Sequence, residues 1–199
     1  MAREEPAGEV ETKARAASPE HPGARAEHTA VAFDQQSDIS RMLNPGAERR
    51  QPLPGFDEEY IDIVDYIIRS TYKVWNWRLL NKINDYHVAN FLFHGASGRE
   101  AYGRGNYAAY VLSLLAMFPD AAVYIDDFHW NGNGRHGYRT AVRWTLLGTH
   151  TGPGAYGEPT NRQIQMNGIT QHLVREGRYV EEWTLFNELQ ILQQLWCGR

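Results

Sequence analysis

The stretch Gly137-Tyr138-Arg139-Thr140-Ala141-Val142-Arg143-Trp144-Thr145-Leu146-Leu147-Gly148-Thr149 decides how the chain is read. Its side chains alternate with a period of two, the signature of a long strand with one covered face. Tyr138, Thr140, Val142, Trp144 and Leu146 fall on one side, and Arg139, Ala141, Arg143, Thr145 and Leu147 on the other. The first set is the expected inner face, which turns Arg143 outward or toward a partner subunit. Upstream, Val123–Trp130 reads as a second strand, joined through Asn131-Gly132-Asn133-Gly134, and Asn-Gly between strands is a strong hairpin signal. Downstream, a Gly/Pro loop at Thr151–Pro159 precedes a strand over Gln163–Arg175. The turn Glu176-Gly177-Arg178 then leads into Tyr179–Asn187.

Helices are expected before this meander. Asp57 reads as the N-cap of a helix opening at Phe56, with Tyr60, Ile61, Val64, Ile67, Ile68, Thr71, Tyr72 and Trp75 on its apolar face. A short helix follows over Leu79–Tyr86, then a strand over Val88–His94. Ser97-Gly98-Arg99-Glu100 has the form of a capping box opening a helix that runs to Phe118 and stops at Pro119. A last helix holds Leu189, Leu192 and Leu195. Helices followed by long antiparallel strands predict an α+β fold with helices packed on one face of a sheet.

Composition bounds the function. The chain has 199 residues, 42% hydrophobic and 22% charged, with a formal net charge of −4. It has no Lys/Arg-rich run of the kind a nucleic-acid surface uses, and no apolar stretch near the ~20 residues of a membrane span. The charged start, Met1 to Glu11, lacks the apolar region of a secretory signal, so a soluble, cytoplasmic protein is expected. A single cysteine, Cys197, excludes an internal disulfide and a cysteine-based metal cluster. Aromatic residues are unevenly placed: Phe33 is the single aromatic in residues 1–55, and all six Trp and all eleven Tyr come later. Residues 1–52 are therefore expected to form a flexible extension and linker, with a short docking element near Ala30–Leu43, and residues 53–199 to form the domain.

On the last two strands the same alternation places Ile164, Met166, Gly168, Thr170, His172 and Val174 inward, then Tyr179, Glu181, Trp183, Leu185 and Asn187. An apolar, aromatic concave surface with sparse polar groups is the composition of a small-molecule pocket. It is also that of an ordinary core, in which Trp144 and Trp183 pack and His172 is hydrogen-bonded. Gly132, Gly134 and Gly137 match a dinucleotide fingerprint in form only, since they join two strands rather than a strand and a helix. His129 and His136 flank the same hairpin without a third ligand, so no metal site and no cofactor is expected.

Several fragments occur together in a fixed order: Phe93-His94-Gly95, Gly98-Arg99-Glu100, Phe118-Pro119-Asp120, Arg143-Trp144-Thr145, Gly148-Thr149-His150-Thr151-Gly152, Glu181-Glu182-Trp183 and Gln193-Gln194-Leu195. This ordered set resembles the SnoaL-like polyketide cyclase family of the NTF2-like superfamily, over about residues 56–196. The resemblance implies a conical α+β barrel around an apolar pocket, often dimeric through the sheet. It also implies intramolecular aldol ring closure without metal or cofactor, in which an acidic residue removes a proton beside a carbonyl and returns it to the new oxygen. The family's acid–base Asp stands four residues after the tryptophan of Glu-Glu-Trp, where this chain has Asn187. An amide cannot take up that proton at neutral pH.

Two readings follow. Either His172 or Glu181 supplies the base while Asn187 orients a carbonyl, or the pocket is kept without the chemistry. Trp144, Trp183, Tyr138, Glu181, His94 and His150 are the expected substrate contacts, and the expected ligand is an apolar or aromatic small molecule. A cofactor-free cyclase or isomerase acting as a homodimer is one function class. A non-catalytic binding or dimerising module is the other.

Overall fold

The computed structural model describes Leu53, Gly55, Phe56 and residues 60–197. The proposed extension and linker, the docking element and the Asp57 cap lie outside the described residues. Helix α1 spans Ile63–Trp75 and is capped by Asp62, whose side chain accepts from the Asp65 N–H at 2.8 Å. Asp65 reaches back to accept from the Ile61 N–H at 3.0 Å, so the two acids satisfy free amides at a helix start reciprocally. Helix α1 thus begins at Ile63, and Phe56 precedes it as irregular chain, because the pair able to cap each other is Asp62 and Asp65.

A single 3₁₀ turn, Leu80–Lys82, and helix α2, Ile83–Tyr86, lead into strand β1, His87–His94. The expected capping box does not open a helix. Ser97 adopts a left-handed conformation (φ 58°) in a 3₁₀ turn, and Glu100–Tyr102 forms a short strand, β2, paired with β1. Helix α3 begins only at Arg104 and runs to Met117, with Gly103 (φ 82°) at its N-cap. Strands β3 (Ala122–Asn133), β4 (Gly137–Thr149), β5 (Gln163–Arg175) and β6 (Arg178–Phe186) follow, then helix α4 (Glu188–Leu192) and a π-helical turn, Gln193–Cys197. The β3–β4 hairpin turns at Gly134–His136, later than the Asn-Gly pair suggests, because Asn133 Oδ1 accepts from the N–H groups of Arg135 and His136.

The sheet has six strands in the order β2-β1-β6-β5-β4-β3. Its pairs are antiparallel except β1 with β6, which run parallel and close the meander onto the N-terminal part of the domain. Helix α1 is tied across the concave side by two devices. Tyr66 donates to the Gly177 carbonyl at 3.0 Å, and the Asn76 amide both donates to and accepts from the Val123 backbone, at 2.9 and 2.8 Å. Ile63, Ile67, Phe91, Val111, Phe128 and Ile191 are fully buried between helices and sheet. No helix among the described residues is long and apolar enough to cross a membrane.

The inner faces of β4 and β5 are as the alternation places them, with Tyr138, Thr140, Val142 and Leu146, and Ile164 to Val174 at every second residue, all buried. Strand β6 is different. Val174 pairs with Tyr179 but Leu173 pairs with Glu181, so Val180 is an extra residue, a β-bulge. Such a bulge exchanges the two faces of the strand beyond it. Tyr179 stays inward, and beyond Val180 the inward residues are Glu182, Thr184 and Phe186. Glu181, Trp183 and Leu185 therefore lie on the outer face, which corrects the inward reading given to them.

Candidate functional site

Directly opposed residues of neighbouring strands share a face of the sheet, and three such rows build the site. Deepest is Thr140–His172–Glu182, next Val142–Thr170–Thr184, and nearest the opening Trp144–Gly168–Phe186. All but Thr140 and Gly168 of these residues line a cavity with about 770 Å³ of empty space, open solvent at its mouth included, roofed by Ser70, Thr71, Val74 and Trp75 of α1 and by Tyr107, Tyr110 and Leu114 of α3.

Glu182 is the one carboxylate in the lining. Its Oε1 accepts from the Thr184 hydroxyl at 2.9 Å, and its Oε2 accepts from the Tyr107 hydroxyl at 3.2 Å. Burial pushes its pKa up to about 7, against the lowering effect of those two donors. A carboxyl poised near neutrality can both take and return a proton. Because the Thr184 proton is committed to Glu182, the 2.8 Å contact between Thr170 and Thr184 has Thr170 as its donor. The Trp144 indole N–H in turn donates to Thr170 at 2.9 Å. A continuous hydrogen-bonded line thus runs from the half-buried tryptophan at the mouth to the buried acid.

Gly168 makes that line possible. A Cβ there would come within 2.2 Å of the Trp144 ring, so only glycine leaves room for the indole to lie across the neighbouring strand. Phe186, the other member of the row, sits 6.3 Å from Trp144, ring centre to ring centre.

His172 lies beside the acid, with Nδ1 2.8 Å from Thr140 Oγ1 and Nε2 4.0 Å from Glu182 Oε2. Burial, reinforced by His87, holds its pKa down to about 3, so it is a neutral imidazole across the physiological range. His87 is neutral for the same reason of burial, at about 3. Its Nδ1 donates to the Ile83 carbonyl at 3.1 Å, and its ring stacks on Tyr179. The Tyr179 hydroxyl shares a 2.6 Å hydrogen bond with Ser70.

Of the residues singled out from sequence, the cavity brings together Trp144 and His172. Tyr138 is buried beyond the cavity, edge-on to Trp130. His150 is fully buried beneath the loop it starts, against Phe118 and with Nδ1 3.3 Å from Thr160 Oγ1. His94 stacks on Trp183 at 3.7 Å on the outer face, within ion-pair distance of both Glu100 and Glu181. Asn187 is exposed and caps α4, accepting from the Gln190 N–H at 3.2 Å. The strand ends at Phe186, so an inward catalytic place for Asn187 is corrected to a helix cap. Sequence reasoning passed over Glu182, Thr184, Tyr107 and His87. The available signal was Glu181-Glu182 itself, since a bulge between Tyr179 and Trp183 selects one glutamate over the other. Among the described residues no group of three His, Cys, Asp or Glu could hold a metal ion.

The model of the SnoaL-like polyketide cyclase family matches residues 66–195. A SnoaL-like polyketide cyclase from Agrobacterium tumefaciens superposes with a TM-score of 0.54 at 16% identity, over 66% of this chain and 95% of that one. TsrD from Streptomyces laurentii gives 0.57 at 16%, over 67% and 94%. A protein from Acidithiobacillus ferrooxidans assigned as a polyketide cyclase gives 0.58 at 22%, over 68% and 95%. At these identities the likeness is one of fold. No curated protein matches the chain by sequence.

Proposed function

Since the chain belongs to the SnoaL-like polyketide cyclase family, we propose that its cavity binds an aromatic, largely apolar small molecule and exchanges a proton with it through Glu182. The observation that carries this reading is one buried carboxyl, hydrogen-bonded on both oxygens, at the floor of an aromatic-lined cavity. As a carboxylate, Glu182 removes a proton from the carbon beside a ligand carbonyl, leaving the electron pair in an enolate. In a ring closure the enolate carbon bonds to a second carbonyl carbon, whose oxygen becomes an alkoxide. Glu182 then returns its proton to that oxygen. This gives the acid–base task to Glu182 and leaves Asn187 as a helix cap. Neutral His172, beside Oε2, holds the acid's surroundings polar without adding charge.

Solvent deuterium exchange tests the proposal. With 2-acetyl-1-tetralone as probe, the protein should accelerate exchange at the carbon between the carbonyls, with the rate rising through a midpoint near pH 7. Glu182→Gln should remove about a hundredfold or more of that rate, the usual scale of general-base catalysis. Equal exchange in the two proteins would reject the role.

A second reading, self-association through the sheet, is supported by the outer face. Ile169, Trp183 and Leu185 are 52%, 50% and 69% exposed there, a contiguous apolar surface at the centre of the sheet. We propose a second copy of this chain as its occupant. Light scattering should give a dimer that Trp183→Glu with Leu185→Glu converts to monomer; a monomeric parent protein would reject this.

A further inference from the structure

The charge balance of the cavity is one-sided. Its lining contains Glu182 but no Lys or Arg. The two groups that hydrogen-bond the carboxylate, Thr184 and Tyr107, are neutral donors and supply no countercharge. The imidazoles do not supply it either, since burial keeps His87 and His172 uncharged. Arg99, beyond Tyr110, is engaged by Glu188 at 2.7 Å. A buried carboxylate without a cation is costly unless something brings one.

The remaining lining suits a cation. Eight of the lining side chains are Phe, Tyr or Trp, and the faces of such rings attract an organic cation, more strongly as water is excluded. Trp75, Tyr110, Trp144 and Phe186 are the half-buried members, placed where a ligand enters. His87 adds an acceptor: its Nδ1–H is spent on the Ile83 carbonyl, which leaves Nε2 with a lone pair.

We infer that the ligand of this cavity carries a basic amine on an aromatic body, its ammonium pairing with Glu182 and its rings lying among the aromatic side chains of the mouth. The inference rests on the reading of the cavity as a ligand site, and it gives Glu182 the ligand's ammonium as its partner without requiring proton exchange at a ligand carbon. A neutral amine reaches the same state by taking the proton of the protonated Glu182 carboxyl. The O–H bond breaks, an N–H bond forms, and ammonium and carboxylate result. The titratable groups facing Glu182 are Tyr107 and Tyr110 from α3, His172 from β5, His87 from β1 and Tyr179 from β6. All five are neutral near pH 7, so the pH dependence of pairing belongs to Glu182.

The test compares 2-naphthylmethylamine with 2-naphthalenemethanol, a cation and a neutral molecule of nearly the same shape, by calorimetry. At pH 8 the amine should bind at least tenfold more tightly than the alcohol. That preference should fall with the carboxylate fraction, about thirtyfold between pH 8 and pH 5.5 for a midpoint of about 7 in the unaltered protein, and should vanish in Glu182→Gln. Alcohol binding without a preference for the amine would overturn the inference while leaving the cavity reading intact. So would a preference that survives acidification or Glu182→Gln. Failure of both probes to bind would overturn the inference and the reading beneath it together.

Discussion

Replacing Glu182 with Gln should stabilise the protein at alkaline pH while removing its chemistry. The carboxyl has an ordinary value of 4.5 and is raised by burial to about 7 in the fold. Below pH 4.5 it is protonated whether the chain is folded or not, and its titration costs nothing. Between those values the unfolded chain gives up the proton while the folded one keeps it, so stability falls as pH rises. Above about pH 7 the cost is complete. At roughly 1.4 kcal/mol per pH unit, it amounts to about 3 kcal/mol. Glutamine does not titrate, so the stability difference between variant and parent should grow by about that amount from pH 4.5 to pH 8. The buried imidazoles act in the opposite sense. Depressed to about 3, they contribute stability above pH 6.5 that is lost as pH falls. They are present in both proteins and cancel in the difference to first order. Urea unfolding of the two proteins at half-unit steps of pH reads the slope directly, and any constant offset from the amide's altered hydrogen bonds does not enter it. A difference independent of pH, or one that shrinks as pH rises, would refute the placement of this acid in a desolvated site.

Three further substitutions probe the parts that hold the acid and the mouth. Thr184→Val removes the donor to Glu182 Oε1; a hydrogen bond to a charged group is worth about 1.5–3 kcal/mol, so the midpoint of the exchange profile should rise by about one pH unit, and an unmoved midpoint would count against the contact. Gly168→Ala drives a methyl group into the Trp144 indole; overpacking of about 1–2 kcal/mol should release the indole from Thr170, shift tryptophan fluorescence and weaken ligand binding about tenfold. Asp62→Ala removes the cap of α1 and should cost about 1–2 kcal/mol in thermal or urea unfolding, with no change in the pH dependence of exchange.

The parts of this structure legible in the sequence are those where local chemistry and tertiary packing agree. Strands β4 and β5 carry uninterrupted alternation, and both their limits and their inner faces are as read. Misreadings begin where one residue decides between two outcomes. Val180 is a bulge without a glycine or other local mark, yet it turns Glu182 rather than Glu181 into the cavity. Between the bulge and Phe186 the outer face of β6 carries Trp183 and Leu185 beside Glu181, while the inner face carries Glu182 and Thr184. A rule that puts apolar residues inside therefore selects the wrong face of a strand that borders a cavity. Ser97 and Glu100 have the spacing of a capping box, but the backbone takes a left-handed turn at Ser97, and Glu100 is drawn into a strand beside β1. The ordered family fragments located the fold correctly, whereas several of their polar residues serve the frame: His150 under its loop, His94 against Trp183 and Asn187 at a helix start.

The proton held by Glu182 is the centre of this account, and the carbon-13 resonance of its side-chain carboxyl reports it directly. In protein labelled at glutamate, with Glu182→Gln used to assign the signal, the carboxyl should titrate with a midpoint near pH 7 and move when an aromatic ligand is added. A midpoint near the ordinary 4.5, undisturbed by ligand, would contradict it.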